Sequence, residues 1–85
     1  MGEQLLEVGR VVHFFGHINV AVIEVMGTIS VGDKIAIKGP ITDIEQTVDS
    51  MEIEHAKVKQ ATAGQSIGMK VKGQVREKDT VYKTG

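Results

Sequence analysis

The chain has 85 residues, 10 Lys and Arg against 11 Asp and Glu, and no cysteine. That length supports a single domain over residues 1–85, with one compact core and no room for a separate catalytic domain. The missing cysteines exclude disulfides, thiolate metal sites and a cysteine nucleophile, and the net charge of −1 excludes any general attraction to nucleic acid. The type of hydrophobe sets the fold class. There are 12 Val, 9 Ile and 6 Thr against two Leu. β-Branched side chains are stiff at χ1 and favour strands. Ten Gly and one Pro supply turns, so the expectation is all-β.

Residues 5–14 read as the first strand. Leu6, Val8, Val12 and Phe14 fall on one face, and Arg10 interrupts it. Phe15-Gly16-His17 is a turn. Residues 18–25 form the second strand. Ile18, Val20 and Val22 share one phase, while Ile23 and Val25 take the other. A phase change needs a bulge or burial on both faces, and a bulge near Val22-Ile23 is expected.

Val31-Gly32-Asp33-Lys34 is a tight turn, followed by a strand at 34–38 with Ile35 and Ile37 inward. Gly39-Pro40 stops it. Residues 40–46 read as a loop or one helical turn. Residues 47–55 are a strand with a second phase break, placed near Asp49-Ser50. Val58 marks a short strand, and Thr62-Ala63-Gly64-Gln65 a turn. Across 66–72, Ile67, Met69 and Val71 point inward. Arg76-Glu77-Lys78-Asp79 is a charged turn, and 80–82 the last strand. Residues 1–4 and 83–85 are expected to fray. The sum is a closed, mainly antiparallel barrel of six or seven strands, because closure removes exposed edges. Its core includes Ile35, Ile37, Met51, Ile53, Ile67, Met69 and Val71.

Motifs for chemistry are sparse. No phosphate-cradling glycine loop is present, so no GTP binding by this chain alone is expected. Ser30, Ser50 and Ser66 lack a nucleophile signature. His13 and His17 flank a turn rather than share a helix face, and no metal or other cofactor is predicted. Glu52 and Glu54 read as a solvated strand face. No run approaches the roughly 20 apolar residues of a membrane span. No signal peptide is expected, and Leu6 stands where a myristoylation motif needs Ser or Thr. A cytoplasmic location and no membrane partner are the expectation. Lys57 and Lys59 share one strand face, and Lys70 and Lys72 another. If those strands are neighbours they form one basic patch, read either as solubility and edge protection or as a phosphate contact.

Several stretches carry a resemblance. They are Val8-Gly9-Arg10-Val11, Gly27-Thr28-Ile29-Ser30-Val31-Gly32-Asp33, residues 47–54, and Ala63-Gly64-Gln65-Ser66-Ile67-Gly68. In this order they resemble the second domain of elongation factor Tu, over roughly residues 5–84. The small stand-alone archaeal translation elongation factor-like barrels are the nearest such group. The stretch from Gly39-Pro40 to Met51, with Gln46-Thr47-Val48, also resembles the C-terminal barrel of collagenase-like peptidases.

The translation-factor resemblance implies a non-enzymatic module that contacts RNA, tRNA or a translation-associated protein. Lys57, Lys59, Gln60, Lys70 and Lys72 would make the contact. Gln60 matches the glutamate that such domains place beside the terminal adenine of tRNA, with an amide for the carboxylate. A protein-interaction adaptor or accessory subunit with no nucleic-acid role is the alternative. It would use the Ile41–Ile44 loop and the Phe15 turn. For an enzyme the sequence offers no constellation.

Overall fold

The computed structural model describes residues 5–84, and all its regular structure is β. The strands are β1 (Leu5–Phe15), β2 (Val20–Val25), β3 (Thr28–Ser30), β4 (Lys34–Lys38) and β5 (Asp43–Thr47). They continue as β6 (Met51–Ile53), β7 (Ala56–Val58), β8 (Gln60–Thr62), β9 (Ser66–Lys70) and β10 (Thr80–Thr84). Eight of them form one sheet in the order β5-β4-β10-β1-β2-β9-β6-β7, and β3 pairs with β8 in a small second sheet. Every pairing is antiparallel.

The all-β expectation holds, and the closed barrel of six or seven strands does not. The ladder runs from β5 to β7 without joining its ends. The strand count rises because the chain leaves the large sheet twice for short pairings. Residues 40–46, read as a loop or helical turn, contain most of β5. The 47–55 strand is broken: Val48 pairs instead with the turn before β4, its N–H donating to the Asp33 carbonyl at 2.9 Å. Lys83 and Thr84, expected to fray, belong to β10; the fraying expected of residues 1–4 and 85 lies outside the described residues.

A side-chain clamp ties the edge strand β5 to the end of β9, with which it has no ladder. Gln46 on β5 donates from Nε2 to the Lys70 carbonyl at 2.9 Å. Its Oε1 accepts the Lys72 N–H, also at 2.9 Å. The carboxamide thus presents a donor to the last residue of β9 and an acceptor to the segment just beyond it, as a neighbouring peptide group would.

The core holds Ile35, Ile37, Met51, Ile67, Met69 and Val71 as expected, with Val8, Val11, Ala21, Ile23, Val25, Ile29 and Val81. Ile53 is half-buried against it. Leu6 and Val12 are not inward: they are 65% and 42% exposed. The register of β1 shifts between Glu7 and Gly9 and again between Val11 and His13, which resets its phase. The second shift lies opposite Val22 and Ile23, where irregular pairing is expected, but the extra residue is Val12 on β1. β2 itself keeps one phase, with Ala21, Ile23 and Val25 inward and Val20, Val22 and Glu24 outward.

Three turns share one construction. In residues 30–33, 62–65 and 76–79 the fourth side chain accepts the first residue's N–H at 2.8 Å. The fourth N–H donates back to the first carbonyl, at 3.0, 3.2 and 3.1 Å. The third residue lies in the left-handed region: Gly32 at φ 97°, Gly64 at 92° and Lys78 at 77°. The acceptors are Asp33, Gln65 and Asp79. Asp79 is buried, and a Cβ on Gly39 would collide with its carboxylate.

Candidate functional site

The outward phase of β2 makes the site. Its two apolar residues, Val20 and Val22, stand on a sheet face that water would otherwise cover. Phe15 and Ile18, at the connection from β1 to β2, extend this wall and are 45% and 58% exposed. In register beside β2 lies β9, where Val22 faces Gly68 and Val20 faces Lys70. Beyond β9 lies β6, where Gly68 faces Glu52. The missing side chain at Gly68 lowers the floor between Val22 and Glu52. The result is a groove of about 480 Å³, within the range of small-ligand and peptide sites.

The far wall is polar. It is made by Glu52 and by Glu54 and His55, the two residues that join β6 to β7. Both turn residues have positive φ, 50° and 67°, a two-residue hairpin geometry that Asn-Gly adopts most easily. A left-handed conformation costs a side-chain-bearing residue roughly 1–2 kcal/mol. Glu52 and Glu54 make no ion pair among the described residues, whose three pairs are His13–Glu77, Lys38–Asp43 and Lys83–Asp33. Ser50 and Ser66 also line the groove. No hydrogen bond joins these serines, His55 and the two glutamates among the described residues, so no nucleophile–base–acid chain is assembled. Nor do the described residues gather three metal-ligating side chains. His13 lies against Glu77 at 3.2 Å and edge-on to Phe15.

The residues singled out from the sequence fall in different places. Lys57 lies on β7, opposite Glu52. Because β6 stands between β7 and β9, the two lysine pairs are not on neighbouring strands. Lys59 gives its carbonyl to the Val31 N–H at 2.9 Å. Gln60 is on β8 in the small sheet, its amide 3.3 Å from Ser30 Oγ. Lys72 follows β9 and is held by Gln46 through its backbone. Of the five, Lys70 alone lines the groove. Ile41 is 70% exposed on its loop, away from the groove, while Phe15 is part of it. Sequence reading missed Val20, Val22 and Gly68. The available signal was the double apolar phase of 18–25, which marks an outer apolar face as well as a core.

No protein-family profile matches the chain. Curated relatives do. An uncharacterised protease of Methanocaldococcus jannaschii is 42% identical over 91% of this chain. A collagenase of Porphyromonas gingivalis is 38% identical over 95%. The chain spans about a fifth of each relative's length, 19% and 20%. Among solved structures, the C-terminal domain of a candidate U32 peptidase of Geobacillus thermoleovorans superposes with a TM-score of 0.87, covering 92% of this chain and 91% of that one. At 20% identity it establishes a shared fold.

These findings correct the translation-factor resemblance and the RNA, tRNA and translation-partner reading built on it. They also correct the expectation of a non-enzymatic module, since the relatives are named protease and collagenase. Hairpin and turn motifs of this kind do not fix a family or a function. The shorter likeness, to collagenase-like peptidases over 39–51, is the one the relatives extend to nearly the whole chain.

Proposed function

We propose that this chain is a β-domain of a U32-type peptidase and that its groove engages the polypeptide on which the peptidase acts. The observation that carries the reading is 42% identity across 91% of the chain with a protease five times its length. The groove supports it. An apolar wall beside an exposed polar rim fits an extended chain with alternating side chains. The peptide bonds themselves would be cut by the part of such an enzyme that lies outside the matched region.

Gly68 provides the test. A Cβ there would meet only Val20 Cγ1, at an ordinary 3.5 Å. A β-carbon is therefore accommodated at this position, and valine, which favours strands, would fill the groove floor. Gly68→Val is expected to leave the melting temperature unchanged or higher while abolishing binding of fluorescently labelled gelatin, read by anisotropy. Equal gelatin binding by the variant and the parent, or none by the parent, would overturn the reading.

A further inference from the structure

The groove is asymmetric in charge, and this deepens the polypeptide reading on which it rests. Along one side run Phe15, Ile18, Val20 and Val22, with no charge among them. Along the other, Glu52 and Glu54 stand exposed and without cationic partners among the described residues. Glu52 faces Lys57 across the β6–β7 ladder, yet the two are not ion-paired. The remaining ionisable groups of the lining are His55, beside Glu54, and Lys70, which faces Val20. The acidic side is thus displaced along β9 from the single lysine. Glu54 is also held in a left-handed turn, φ 50°, that fixes its backbone at the rim.

We infer that the groove takes an extended polypeptide segment carrying an arginine or lysine among apolar residues. Its cation lies at Glu52 and Glu54, and its apolar side chains lie on Phe15, Ile18, Val20 and Val22. Carboxylates on one rim attract a guanidinium or ammonium, and the planar guanidinium suits carboxylate pairing best. Lys70 disfavours a cation at the other end of the groove.

The test uses two labelled peptides of one sequence, alternating valine and isoleucine around a central arginine or its neutral isostere citrulline. Anisotropy with the 85-residue chain is expected to give about tenfold tighter binding for the arginine peptide at low salt. The preference shrinks as salt rises from about 20 mM to about 500 mM, because exposed charges are screened. In the double variant Glu52→Gln, Glu54→Gln the two peptides bind alike, at the level of the citrulline peptide on the parent. Equal affinities on the parent would overturn the charge inference and leave the polypeptide reading standing. Failure of both peptides to bind would overturn both.

Discussion

Lys78 occupies a position that glycine takes in the two sister turns. Its φ of 77° falls in the left-handed region, where Gly32 and Gly64 sit at 97° and 92°. The cost of that conformation for a side-chain-bearing residue, roughly 1–2 kcal/mol, exceeds the roughly 0.5–1 kcal/mol of extra chain entropy that glycine loses on folding. Lys78→Gly should therefore stabilise the domain by about 0.5–1 kcal/mol in urea unfolding, a gain that alanine at the same position would not give. The turns were legible from Val31-Gly32-Asp33, Ala63-Gly64-Gln65 and the charged run 76–79. Their reciprocal hydrogen bonds were not, because Asp33, Gln65 and Asp79 read equally well as solvated polar residues.

At the scale of elements, the inward phases of β4 and β9 were readable from alternation alone: Ile35, Ile37, Ile67 and Met69 are buried as their period of two requires. The phase of β1 was not, since two register shifts move Leu6 and Val12 outward and a bulge leaves no fixed residue signature. β5 was hidden by Pro40 and the Thr42-Asp43 pair, which look like a loop until β4 supplies the ladder. The Gln46 clamp belongs to this scale, because it substitutes side-chain hydrogen bonds for a missing strand pair. Gln46→Ala removes both bonds and should cost about 1–2 kcal/mol in thermal unfolding. Gln46→Glu should cost at least as much: the carboxylate still accepts from Lys72 N–H, but it meets the Lys70 carbonyl without a proton to donate.

For the whole molecule, the groove exists because two unrelated features coincide. A central strand carries apolar residues on both phases, and its neighbour carries glycine at the facing position. Neither reads as a site by itself. An apolar outer phase looks like a bulged core strand, and a lone glycine looks like a turn or a weak strand. The lysines looked more promising, yet strand order separates them: β6 brings Glu52 between Lys57 and Gly68. The relatives that match this β-domain are about five times longer than the chain itself.

The most direct test of the polypeptide groove is an amide chemical-shift map of the chain titrated with gelatin. Shifts are expected to concentrate at Phe15, Ile18, Val20, Val22, Glu52, Glu54 and Gly68, and to be lost in Gly68→Val. Shifts centred instead on the Ile41 loop or on Lys57, Lys59 and Gln60, or no shifts at all, would contradict it.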